Sequence, residues 1–476
     1  MRTLLGIIPV LIFLVLATIQ CFHAGLQPDD SGFVALRVAD NFRSGAGLVF
    51  NPGERRDLID SPLWVAQLSL LTLSTRAPLL VQFYAMVLGV VTLLVVLGGP
   101  RSRLVGAGAA LFVAVDGLFV SRLTAGGSEP LVALHLVLLY PIVRATRGRT
   151  AGRHETDIAL GCWAALAGFV RYELILLALP VALGSGLREP RRPSAWLPMA
   201  GAFVGGALCL GLRWGYFGAY PDYWEPWPPT LQSILSAALT LGAIVIRRPL
   251  LWIGIAILVS EWVHGRLWFG RRIGLAWGLF ALVLFALLPS RGTDVERQVA
   301  AALPLVTLLA VEAVWKRART RPALVAALLF VLAQPGWTDA GRSADPELDT
   351  AYARIGQWLH AHALPGTSVG ASRVGALGYH SHMHMEDVAG RISPRVAAAR
   401  RVFAPQALQA ESGAFQSMFR QEPDVVVVLP GDPIPTARTY VPNDDAVPQA
   451  IRGPFRIYRW AGSPVWQDAP EMSARP

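Results

Sequence analysis

Two adjacent carboxylates, Asp29 and Asp30, follow an apolar run from Leu4 to Ala24. Carboxylates just past the end of a membrane span sit at headgroup depth. There they can take a proton from a hydroxyl or share a divalent cation. The same pair can also start a helix, since an Asp before the first turn caps it and negative charge there suits the helix dipole. Both roles fit together if Asp30 caps and Asp29 reacts. Arg37, Asp40 and Asn41 come next, which suggests a short helix across the membrane face. The stretch Gly45-Ala46-Gly47-Leu48-Val49-Phe50-Asn51-Pro52-Gly53-Glu54 is turn-rich and would fold back on that helix.

Other ionisable side chains recur where predicted spans reach the same side. Glu129 opens one span after Gly126-Gly127-Ser128, Arg171 and Glu173 interrupt an apolar stretch, and Arg213 nears the end of another span. Asp294, Glu296 and Arg297 begin a late one. Ionisable groups at membrane depth are costly and usually functional. Each cluster also reads as a plain ion pair, Arg171 with Glu173 or Asp294 with Arg297. Their recurrence on one predicted face points to a shared polar cavity. Arg171, Arg213 and Arg297 suit phosphate oxygens there, because a guanidinium offers paired donors. The loop Tyr220-Pro221-Asp222-Tyr223-Trp224-Glu225-Pro226-Trp227 joins that face or forms an interfacial aromatic belt. In His380-Ser381-His382-Met383-His384-Met385-Glu386-Asp387 the histidines alternate. On a strand they share one face, as metal ligands can; a surface hairpin with incidental histidines is the plainer reading. The glycines from Gly370 to Gly378 form neither a GxGxxG nor a P-loop, so nucleotide binding has little support.

The elements that hold these residues are mostly membrane helices. The 476-residue chain is 53% hydrophobic and 16% charged, with a mean hydropathy of +0.45. Its net charge of +10 is almost all arginine, and in such a chain this reports topology rather than nucleic acid. Candidate spans lie at 4–24, 77–97, 103–122, 130–146, 157–170, 174–187, 195–217, 248–264, 274–290, 298–315 and 321–338. The prediction is a polytopic α-helical membrane protein of about eleven transmembrane helices. Arginine clusters at 101–103, 144–153, 188–192, 266–272 and 316–321 fall on one side, the cytoplasmic one by the positive-inside rule. The N-terminus is then cytoplasmic, and the Asp29/Asp30 loop and the C-terminal segment lie outside. Segments 62–74 and 231–246 read as helices on the outer interface. Cys21, Cys162 and Cys209 fall in or at apolar spans, so no disulfide and no cysteine metal site is expected.

From about residue 340 the long apolar runs end. An amphipathic helix over 349–363 and buried strands at 368–371 and 424–429 predict a small α/β domain. The organisation is a membrane module at 1–338 with its first outer loop at 25–76, an extracytoplasmic α/β domain at 340–465, and a loose tail at 466–476.

The first outer loop resembles that of GT-C glycosyltransferases. The pattern is Asp29-Asp30, then Arg37 and Asn41, then Gly45-x-Gly47-Leu48-Val49-Phe50-Asn51-Pro52-Gly53-Glu54, then Ser61-Pro62-Leu63-Trp64. It is similar above all to the terminal arabinofuranosyltransferase-like branch. Weaker matches continue at Gly127-Ser128-Glu129, Arg171-x-Glu173, Arg213 with Tyr216-Phe217-Gly218, Asp294 with Arg297, Gly375-Ala376-Leu377-Gly378-Tyr379 and Pro423-Asp424-Val425-Val426. The chain departs from the pattern at Asp57-Leu58-Ile59-Asp60-Ser61, where relatives often read Glu-Gly-Tyr-Thr-Asn, which leaves the sugar open. The resemblance implies transfer of a sugar from a polyprenyl-phosphate-linked donor to a glycan, lipid or protein acceptor, on the outer face of the inner (plasma) membrane. It implies Asp29 or Asp30 as base. Arg37, Asn41, Glu129, Arg171, Glu173, Arg213, Asp294 and Arg297 would bind substrate or phosphate. No cofactor is required; a divalent cation is optional, with Asp29, Asp30, Asp222 and Asp294 as oxygen donors. A transporter or flippase of a lipid-linked sugar would use the same cavity, although no internal repeat is visible. An envelope scaffold would use the carboxylates only as caps.

Overall fold

The computed structural model describes residues 4–100, 102–145, 153–218, 239, 241–242, 294–318, 346–387, 423–429, 440–462 and 465. The predicted spans 248–264, 274–290 and 321–338, the loop 220–227, most of 231–246 and the tail 466–476 lie outside them.

Long aliphatic runs build the bundle: α1 (Leu4–His23), α4 (Ala77–Gly98) and α10 (Leu197–Phe217). Each buries one stripe and exposes another. On α1, Phe13 and Ala17 are buried while Leu11, Val15 and Phe22 are exposed; on α10, Cys209 is buried while Phe203, Leu208 and Leu212 are exposed. Exposed apolar stripes of this length fit a lipid-facing surface. Among the described residues, Gly6–His23, Ala77–Gly98 and Pro193–Phe217 are long and apolar enough to cross a bilayer.

The predicted span 103–122 is broken. It divides into α5 (Arg103–Val115) and α6 (Gly117–Thr124), bent by 64°, and counts as a fourth crossing if taken as one. Asp116 causes the break. Its backbone is extended, and its carboxylate caps α6 by accepting from the Phe119 amide at 3.1 Å. Helices also form at the other predicted places: α7 (Glu129–Ala145), α8 (Arg153–Val170), α9 (Leu174–Arg188) and α11 (Asp294–Ala318). The first loop carries α2 (Asp30–Arg43) and α3 (Pro62–Leu71), the latter capped by Ser61 with Pro62 in its first turn.

The C-terminal region holds α12 (Pro346–His362) and a sheet whose five strands among the described residues run in the order β2-β1-β3-β5-β4. Its strands are β1 (Ser368–Ala371), β2 (His384–Asp387), β3 (Val425–Val428), β4 (Tyr440–Pro442) and β5 (Arg456–Trp460). β1 pairs in parallel with β2 and β3, while β5 is antiparallel to β3 and β4. The β1 and β3 residues are all buried, which is why these strands read as continuous apolar or small runs.

One helix of this domain, α13 (Gly375–Ser381), packs directly on α2. The Phe33 ring meets His380 edge-on, with centroids 5.4 Å apart. The glycines that suggested no nucleotide loop have their use here. A Cβ at Gly375 would run into the Asp30 carbonyl, and one at Gly378 would lie 2.9 Å from the Phe50 ring. Only glycine lets the two backbones come this close.

Candidate active site

Asp29 is fixed from two sides. Its amide donates to the Ala125 carbonyl at 2.8 Å, where the chain turns between α6 and α7. Gln82 of α4 holds the same junction by donating to the carbonyls of Gln27 and Thr124. Asp29 then caps α2: its backbone is extended, and Oδ1 accepts from the Gly32 amide at 2.9 Å and the Ser31 hydroxyl at 2.6 Å. The cap is therefore Asp29, not Asp30 as anticipated. The residue before the first helical one has the extended geometry that lets a carboxylate reach the third amide.

The other Asp29 oxygen, Oδ2, accepts from Arg297 at 3.0 Å. Arg297 also donates to the Ser31 hydroxyl at 2.5 Å, and its Nε lies 3.7 Å from Glu129 Oε1. Glu296, the residue just before Arg297 on α11, pairs with Arg122 of α6. Burial raises the Asp29 carboxyl, but Arg297, the Ser31 hydroxyl, the Gly32 amide and Arg122 together outweigh it, and the group lies below the ordinary aspartate value. Asp29 is thus an ionised carboxylate at neutral pH with a guanidinium as counter-ion.

A second pair adjoins the first. Arg171 Nε lies 3.3 Å from Glu173 Oε2, and its Nη2 lies 3.8 Å from Asp60 Oδ2. Asp60 also accepts from Ser128 at 3.3 Å. Glu129 lies within electrostatic reach of Arg297, Arg171 and Asp60, so the two pairs form one polar cluster. Burial pushes the Glu173 carboxyl above the ordinary glutamate range, against the pull of Arg171.

The remaining predicted residues go elsewhere. Asp30 is buried and accepts from the Gly375 amide at 2.8 Å, tying α2 to α13. Arg37 donates to the carbonyls of Phe50, Gly378 and Met383 and stacks on the Phe50 ring at 4.4 Å. Asn41 donates to the carbonyls of Val49 and Phe50 and closes the loop predicted to fold back. Arg213 grips Asp57 with two bonds of 2.7 Å, binds the Ile59 carbonyl and faces the Tyr172 ring. Asp294 begins α11, and its side chain lies outside the described residues. Of the three arginines read as phosphate ligands, Arg297 is the one in contact with Asp29.

Sequence reasoning missed Ser31, Asp57, Asp60 and Arg122 as members of these pairs. A charge balance over buried arginines could have found the aspartates. The first loop supplies Asp60 to Arg171 and Asp57 to Arg213, and buried guanidiniums need partners. The alternating histidines do not share a strand: His380 is on α13, His382 has a left-handed backbone, and only His384 lies on β2.

Residues 344–466 match a family described as a domain of unknown function (DUF8728). No curated protein sequence matches the chain significantly. Among solved structures, the chain is similar to ArnT from Cupriavidus metallidurans bound to undecaprenyl phosphate. The TM-score is 0.57 at 13% identity, covering 94% of this chain and 97% of that one. It is also similar to the archaeal oligosaccharyltransferase AglB from Archaeoglobus fulgidus in complex with an inhibitory peptide and a dolichol-phosphate. There the TM-score is 0.52 at 12% identity, covering 90% of this chain and 69% of that one. At such identities the likeness is one of fold alone: the chain shares its fold with ArnT and with AglB over nine-tenths of its length.

Proposed function

We propose that this protein is a membrane glycosyltransferase that moves a sugar from a polyprenyl-phosphate donor to an acceptor hydroxyl at the outer face of the membrane. The observation that carries the reading is the Asp29–Arg297 pair, joined to Glu129 and set on a GT-C fold. Transfer breaks the bond between the anomeric carbon and the phosphate oxygen, and the electron pair stays on the phosphate. The acceptor oxygen bonds to that carbon, and its proton goes to Asp29. A carboxylate tied to a guanidinium is a weak base. A donor phosphate would compete for Arg297, and as that arginine turns to the phosphate, Asp29 loses its counter-ion and gains basicity. Donor binding and base activation are coupled in this way through one arginine.

The resemblance of the first loop makes a polyprenyl-phospho-arabinofuranose the first donor to test. A cation has a poorer fit. Asp30 is turned to Gly375, and the Asp29 oxygens are held by Ser31, Gly32 and Arg297. The test uses the full-length protein in nanodiscs with polyprenyl-phosphate sugars, reading donor binding and transfer separately. Asp29→Asn is expected to bind donor but transfer it poorly, and Arg297→Gln to be weakened in both. Parental transfer rates in both variants would refute the reading.

A further inference from the structure

β2, the edge strand of the sheet among the described residues, is covered by the first outer loop. Asn51 pairs with Met385 in both directions: its Nδ2 donates to the Met385 carbonyl at 2.9 Å, and its Oδ1 accepts from the Met385 amide at 3.0 Å. Met385 is buried, so the residues on either side of it, His384 and Glu386, share the opposite face of the strand. Glu54 reaches that face from the turn that follows Asn51. Its amide donates to the Asn51 carbonyl at 3.1 Å. Its Oε2 accepts from Asn51 Nδ2 at 3.2 Å and lies 3.9 Å from Arg56, which directs Oε1 toward His384.

The three donor atoms converge. His384 Nε2 lies 3.3 Å from Glu386 Oε1 and 3.9 Å from Glu54 Oε1, and all three atoms lie within 4.8 Å of one another. Ligands held at about 2.0–2.2 Å around one tetrahedral ion stand about 3.3–3.6 Å apart. His384 and Glu386 already stand at this spacing, and Glu54 closes on the ion by moving inward. A small cleft lined by Phe50, Arg56, Leu58 and Asp387 adjoins Glu54 and Glu386. Asn51, which both orients Glu54 and holds β2, is the outer support that metal sites commonly have. One imidazole with two carboxylates suits a borderline divalent ion.

We propose that Glu54, His384 and Glu386 bind a divalent transition-metal ion, Zn²⁺ in the first instance, and that the ion fastens the first outer loop to the edge of the C-terminal domain. The proposal is independent of the transfer reaction, since it uses none of the residues of the Asp29 cluster. Because two of the ligands are on the domain and one is on the loop, bound metal stabilises the docked arrangement.

The test takes the full-length protein in nanodiscs, stripped with EDTA and dialysed, and titrates it with ZnCl₂. Calorimetry and elemental analysis give affinity and stoichiometry. The parent is expected to take up one more equivalent than His384→Ala, and to bind it at least tenfold more tightly than Glu54→Gln. Its thermal midpoint should rise with Zn²⁺, while those of the variants should not. Glu54→Gln leaves the strand untouched and so guards against a folding defect at His384. Equal uptake by the parent and both variants, or no uptake by the parent, overturns the proposal and leaves a simple histidine–carboxylate contact.

Discussion

At the scale of single residues, Asp29 has two duties that one substitution separates. Asparagine caps helices about as well as aspartate, so Asp29→Asn keeps α2 while removing the proton acceptor. Transfer should drop by about 10²–10⁴-fold with little change in thermal midpoint, as measured by turnover and calorimetry on the same sample. The pH dependence has a definite sign. The carboxyl lies below its ordinary value of 3.8, so it stays ionised as pH falls to that region, and the acid limb of kcat/KM lies below 3.8. Removing Arg297 leaves the burial that raises the group. The residual activity of Arg297→Gln should therefore show an acid limb moved to higher pH. Arg213 differs in kind, because its charge is buried against Asp57. Arg213→Ala should destabilise the protein by about 3–5 kcal/mol, since it strands a buried carboxylate. Adding Asp57→Asn should cost less than the sum of the two changes, which a double-mutant cycle by chemical denaturation would show.

At the scale of elements, the critical contact is α2 against α13. Asp30, Phe33 and Arg37 project from one face of α2 and meet Gly375, His380 and Gly378. Gly375→Val should separate the two, measured as faster proteolysis between the membrane module and the domain. His380 makes the contact pH-sensitive. Burial, with a contribution from His382, pulls its imidazole down from 6.5 to about 4. The folded form holds it neutral, and the unfolded chain binds its proton first. Stability contributed by His380 is thus complete above about pH 6.5 and is lost as pH falls from there to about 4. A thermal midpoint measured across this range should decline in the parent and decline less in His380→Phe.

At the scale of the whole molecule, the contact between α2 and α13 requires the first loop and the C-terminal domain to lie on one side of the membrane. We expect that side to be the outer one, from the arginine asymmetry of the spans. Single cysteines at Ser44 and Gln449, both at exposed positions, test this in a background lacking Cys162. An impermeant maleimide should label both in intact cells. Labelling of only one would break the architecture, and labelling of both only after lysis would invert the topology.

The sequence by itself determined where most of the described helices run, because a bilayer demands long apolar runs and such runs are local, though it did not show the break at Asp116. It also determined the break at Arg171-Tyr172-Glu173, the small C-terminal sheet, and the polar character of the first loop. It could not assign partners. Asp29 and Arg297 are far apart in the chain, as are Asp30 and Gly375, and either aspartate has the chemistry for either task. Which one faces an arginine and which one faces a glycine amide depends on the path of α2 between α11 and α13. That path is set by packing: Gln82 and the Ala125 carbonyl fix where α2 starts, and the glycines of α13 fix how closely the domain approaches. The same packing brings Glu54 to His384, which no local pattern foretells. Buried charge must find a countercharge or a hydrogen bond, but only the folded chain decides which of several equal candidates is within reach.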